Sequence, residues 1–149
     1  MKRFFYSIGL VLFGCAIPNA APNIGDRHVI QKQGFSMMSA SAQTYPYEDV
    51  YFAGIKYGVG VNDAGRIAYL TTSDSKFKTP EGISVGSPLE DVLRVGAAAP
   101  WYEPGWAHHT KLPSGWSVAF NAFSSQDGRI IEIKNLPTGS KVAWIFKRS

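Results

Sequence analysis

The stretch from Ile55 to Thr72 alternates so strictly that it admits one local structure. Ile55, Tyr57, Val59 and Val61 recur at every second position, and side chains two apart on a strand share a face. Asn62-Asp63-Ala64-Gly65 follows, a set of residues that tolerates the positive φ of tight turns. Ile67, Tyr69 and Thr71 then return with the same period. The spacing predicts an antiparallel hairpin. Its opposite face carries Gly58 and Gly60. Bare backbone of that kind marks sheet curvature, the close packing of a neighbour, or the approach of a ligand.

Weaker patterns surround this one. Val29-Ile30 and Phe35 to Met38 are candidate strands, Ser39 to Thr44 is a polar loop, and Glu48 to Phe52 leads into the hairpin. Further on, Trp116, Val118 and Phe120 alternate, Ser124 to Gly128 turns the chain, and Ile131 and Ile133 return. Leu136 to Ser140 turns again before Val142, Trp144 and Phe146. Three strands in that order predict a meander. One helix is expected over about 87–95. Ser87 stands at the cap, Pro88 at the first helical position and Glu90 three after the cap, which is a capping box. Asp91 adds negative charge near the positive helix end. Leu89, Val92 and Leu93 form one apolar stripe, and Gly96 supplies the stop. The expected fold class is α+β: a curved antiparallel sheet with one short packing helix.

The N-terminus reads as an address. Lys2 and Arg3 precede an apolar run from Phe4 to Phe13. That run is too short to span a bilayer as a helix, which takes ~20 residues, and it has the length of a signal-peptide core. Leu12-Phe13-Gly14-Cys15 resembles the lipobox of bacterial lipoproteins, in which the cysteine thiol carries the lipid. The organisation is then a signal peptide over 1–15, a tether over 16–25 and one domain over 26–149. The localisation is the bacterial cell envelope, lipid-anchored and facing the periplasm. The alternative is a cleaved signal and a soluble periplasmic or secreted protein.

Cys15 is the one cysteine, so the domain has neither a disulfide nor a thiolate nucleophile. Without Lys2 and Arg3, the 15 basic residues fall to 13 against 11 acidic ones, a net charge of +2. The basic residues are scattered, whereas nucleic-acid binders carry a basic stripe. No nucleic-acid partner and no cofactor are expected.

No catalytic set is expected either. No nucleophile elbow is expected, and the serines of Pro113-Ser114-Gly115-Trp116-Ser117 have no marked base. His108-His109 reads as a pair of polar loop histidines. Glu103 and His28 are the other residues a metal could use, but zinc needs three or four ligands and no spacing unites them. Pro100-Trp101-Tyr102-Glu103-Pro104-Gly105-Trp106 has loop composition and three large aromatics. Two readings of it stand: the tryptophans plug the sheet, or they anchor a partner. On the second reading the partner-binding residues are Trp101, Tyr102, Glu103, Trp106, His108 and His109.

The run from Thr79 to Leu93, with Gly82-Ile83, Gly86 and Val92, then Gly96 and Pro100, resembles the short helical segment of small envelope lipoproteins of the BamE (SmpA/OmlA) type. It is also similar to the beta-lactamase inhibitor protein fold. Asp127-Gly128-Arg129-Ile130 fills the place of those families' last hairpin, so the likeness spans roughly Thr79 to Ile133. The resemblance implies a non-catalytic module that binds another envelope or periplasmic protein. The leading expectation is a periplasm-facing lipoprotein of inhibitor or immunity type. The alternatives are a BamE-like accessory lipoprotein of outer-membrane protein assembly and, third, a small hydrolase or carbohydrate binder using the aromatic segment.

Overall fold

The computed structural model describes residues 21–32, 36–38, 44–98, 101–103, 107–121, 136 and 139–149. Among them the chain forms β1 (Ser36–Met38), β2 (Thr44–Phe52), β3 (Ile55–Val61) and β4 (Ile67–Thr72), then helix α1 (Leu89–Arg94). β5 (Trp101–Glu103), β6 (Ala107–Lys111), β7 (Ser117–Asn121) and β8 (Val142–Arg148) follow. All eight strands join one sheet in the order β1-β2-β3-β4-β8-β7-β6-β5, with every neighbouring pair antiparallel.

The alternating hairpin forms as β3 and β4. Asn62 closes it with its backbone and its side chain: its N–H donates to the Arg66 carbonyl, and its Oδ1 accepts from Ala64 and Arg66 N–H. β2 enters through Ala53 and Gly54, at φ 49° and 76°, the left-handed pair that a two-residue hairpin uses.

The fold class is nearly all-β, which corrects the expected α+β. Among the described residues, eight strands stand against one short helix. The helix is short because Pro88 stays extended (ψ 156°) and no side chain caps it. Ser87 looks backward instead. Its Oγ accepts the Ser84 N–H at 3.0 Å, and its carbonyl accepts the Val142 N–H at 2.9 Å. The helix start is thus fastened to β8 where a capping box was expected. Leu89 and Val92 are buried, but Leu93 is 48% exposed.

Two further expectations change. Val29-Ile30 is not a strand, and Val29 is 74% exposed. The meander is replaced by direct pairing of β7 with β8, which lies between β4 and β7. Ile131, Ile133 and the Asp127–Ile130 turn lie outside the described residues.

The sheet has two buried faces. The outer one carries Val59 and Leu70 of the first strands and Val118, Phe120, Val142 and Ile145 of the last. Ile83, Leu89 and Val92 cover one end of it, and Ile24 and Ile30 cover the other. Residues from the stretch read as tether already belong to this layer: Gly25 N–H donates to Ile67 O, and its carbonyl accepts from Arg66. The inner face carries Tyr69, Ala107, Ala119 and Phe146, with Met37, Tyr45 and Trp144 against them. A register shift at Ala119/Phe120 sends Val142 to the outer core while Trp144 and Phe146 turn inward.

The sheet curls around this inner face. Arg148 on β8 and Glu103 on β5 are three strands apart, about 14 Å sideways in a flat sheet. The registers offset them lengthwise by about 20 Å more. Their side chains nevertheless meet at 3.1 Å. The glycines permit the curl. A Cβ on Gly58 would lie 2.7 Å from Tyr47 Cε2 and 2.9 Å from Thr71 Cγ2, and one on Gly60 would lie 3.2 Å from Tyr45 Cβ. Of the three readings of bare backbone, close packing of a neighbour is the one realised.

Gly58→Ala should therefore destabilise the protein by about 1–3 kcal/mol, the range for overpacking. Denaturant unfolding of Gly58→Ala, Tyr47→Ala and the double variant checks it. The double variant should lose less than the sum of the two single losses.

Candidate functional site

The segment read as an aromatic loop is an edge hairpin, β5–β6. Its register pairs Trp101 with His109, Tyr102 with His108 and Glu103 with Ala107. Strand alternation divides the expected partner-binding residues between the two faces. Glu103 and His109 point to the inner face, Tyr102 and His108 to the outer. Trp106 and Cys15 lie outside the described residues. His108 and His109 are 2% and 4% exposed, so the reading as polar loop histidines is corrected. Pairing of β6 with β7 takes them into the sheet. Pro104 and Gly105 signalled a loop, although β7 lies close after β6 in the chain.

Three charged or polar side chains assemble on the inner face. Arg148 Nη1 donates to Glu103 Oε1 at 3.1 Å. Glu103 Oε2 lies 3.3 Å from His109 Nε2. The His109 ring meets Phe146 edge-on at 5.3 Å, and Phe146 stacks on Tyr69 at 5.7 Å. Burial holds His109 below its ordinary 6.5. The Glu103 carboxylate opposes that shift, and the Arg148 charge reinforces it. Burial also pushes the Tyr69 hydroxyl up. A neutral imidazole thus lies against a carboxylate–guanidinium pair in an aromatic setting. Among the described sequence candidates, Glu103 and His109 come together on this face and the Tyr102 and His108 rings meet at 4.7 Å on the other, whereas Arg148 was missed. At the mouth of this face, a cleft of about 410 Å³ opens among His109, Lys111, Ser117 and Arg148.

His28 belongs elsewhere. Its Nε2 is 2.6 Å from Glu48 Oε1, on the outer face. Glu48 Oε2 accepts the N–H of Gln31 and Lys32 at 2.9 and 3.2 Å. Burial alone would raise the Glu48 pKa, but the hydrogen bonds from His28, Gln31 and Lys32 outweigh it and hold the carboxyl below its ordinary 4.5. This buried acid, 6% exposed, straps the N-terminal segment onto β2. A signal existed in the sequence, since Glu48 falls between Tyr47 and Val50 in an alternating run. Ser114 is a brace: its N–H and Oγ bond Glu81 at 2.6 and 2.9 Å.

No protein-family model matches the chain, and no curated protein matches it. Among solved structures, the uncharacterized protein yfeY from Escherichia coli is similar at a TM-score of 0.45. The two are 17% identical over 74% of this chain and 85% of that one.

Two acid-sensitive windows follow from the shifts. His109 has a folded pKa below its unfolded one. Its contribution is complete above pH 6.5 and falls as acid protonates the unfolded state. Glu48 also has a lowered folded pKa. Its contribution is present above pH 4.5 and is lost as pH falls through the folded value. Denaturant midpoints measured from pH 8 to pH 3 should fall in both windows. His109→Gln should flatten the first and Glu48→Gln the second. Unchanged slopes in both variants would contradict these assignments.

Proposed function

We propose that the chain is a non-catalytic protein-binding module of the bacterial envelope, of inhibitor or immunity type. It is held by a lipid on Cys15, faces the periplasm, and meets its partner at the rim of the curled sheet's inner face. The observation that carries this reading is the combination of a fixed floor and an open aromatic rim. Tyr69, Phe146, His109 and Glu103 are locked together by burial and the Arg148 contact. Around them Met37, Tyr45, Tyr47 and Trp144 stay only half-buried. Large aromatics on a rigid base give contact area at little cost in conformational entropy, which is the usual make-up of binding hot spots. A further support is that every described covering element, the N-terminal segment and the 73–98 stretch with its helix, lies on the outer face.

A pull-down with residues 16–149 from an envelope extract tests this. A single protein captured in stoichiometric amount is expected. Tyr45→Ala and Trp144→Ala should each weaken its capture about ten-fold or more, the loss of a hot-spot side chain. Melting temperatures separate that loss from misfolding. No stable partner, or capture indifferent to both substitutions, would sink the reading, and recovery of a barrel-insertion complex would replace it with an assembly role. Separately, Cys15→Ala should move the protein from the membrane fraction to the soluble one.

A further inference from the structure

Cations gather where the N-terminal segment joins the sheet. Ala21, Pro22 and Asn23 border a groove of about 450 Å³ together with Lys78, Trp116 and Lys147. Lys147 Nζ lies 3.3 Å from Asn23 Oδ1 and 5.7 Å above the Trp116 ring. Gly115 links this groove to the inner-face cleft. The Cβ it lacks would sit 3.7 Å from Lys147 Cε, and the same glycine lines the cleft beside Lys111 and Arg148. Lys78 and Lys111 are exposed, and Lys147 and Trp116 are half-buried. Glu103 is paired with Arg148, while Glu81, hydrogen-bonded to Ser114, keeps its charge and sets one negative against the three lysines. Lys78, Lys111 and Lys147 therefore carry the local excess of charge.

This end is also the anchored one. Five residues separate Cys15 from Ala21, and the six extended steps between them reach only about 20 Å. A lipid on Cys15 holds the Lys78–Trp116–Lys147 end within that distance of the bilayer. We infer that this end is a docking surface for anionic phospholipid headgroups, an inference that rests on the reading of Cys15 as an anchor. Each lysine near an anionic surface adds about five-fold to partitioning, so three add on the order of a hundred-fold. Trp116 supplies an amphipathic ring of the kind that settles at headgroup depth. An acidic protein segment would suit the same charge, but the short reach from the anchor favours the membrane.

Residues 16–149 contain every described strand and the helix, so the unlipidated domain is the test protein. It is sedimented with vesicles of phosphatidylcholine alone or with phosphatidylglycerol added. Binding to the anionic vesicles only is expected, with a loss of ten-fold or more in 0.5 M salt. The Lys78→Gln, Lys111→Gln, Lys147→Gln variant should show a loss of about the same size, and the matching Lys→Arg variant should retain binding, with circular dichroism confirming both folds. Equal binding to the two vesicle types, no binding, or an unaffected glutamine variant would overturn the inference. Binding of polyglutamate without binding of anionic vesicles would also overturn it and assign the surface to an acidic protein. Because no lipid is attached to the test protein, a negative result leaves the Cys15 reading to be judged by fractionation alone.

Discussion

Tyr47 lies across the bare backbone of Gly58, and the inner face depends on that contact. Any larger residue at position 58 would push the ring away. Gly60 makes the same allowance for Tyr45 and Met37. These close contacts go with a sheet that curls. Tyr69 and Phe146 then stack in the concavity, and Arg148 comes within reach of Glu103. The charge pair is a consequence of the curvature, and it also stiffens it, because one partner is on β8 and the other on the edge strand β5. A part-buried pair of this kind contributes geometry more dependably than net stability.

The outer face is organised differently. Its core is mostly aliphatic with Phe120 and Tyr57 among the branched side chains, and it is closed by elements that touch it through backbone as well as side chains. Gly86, Ser87 and Leu89 exchange hydrogen bonds with Ser140 and Val142, and Glu48 gathers the amides of Gln31 and Lys32. Among the described residues, the covering elements lie on the outer face and the inner face keeps a half-buried aromatic rim, which gives a covered side and a presenting side. That asymmetry is why the inner rim serves as the proposed binding surface.

The parts legible in the sequence were local ones. The β3–β4 hairpin could be read because alternation and the Asn62–Gly65 turn agree within eighteen residues. β7 and β8 could be read as strands for the same reason, though the bulge at Ala119/Phe120 reversed the side taken by Val142. Part of what failed depended on distant partners. Ser87 looked like a helix cap, but its Oγ is taken by the Ser84 N–H and its carbonyl by the Val142 amide, far along the chain. His108 and His109 looked like loop residues because Pro104 and Gly105 signal a loop and a pair of polar residues shows no apolar alternation, although β7 follows β6 as closely as β4 follows β3. Glu103 and His109 were picked out by residue type, but Arg148 was not, since only the curl of the sheet brings it to them.

The closest test of that curl is the coupling between its two ends. Unfolding free energies of Glu103→Gln, Arg148→Met and the double variant form a cycle. A closed inner face predicts a coupling of at least about 0.5 kcal/mol, as for residues in direct contact. Additivity within about 0.3 kcal/mol, as expected for residues three strands apart on an open sheet, would contradict it.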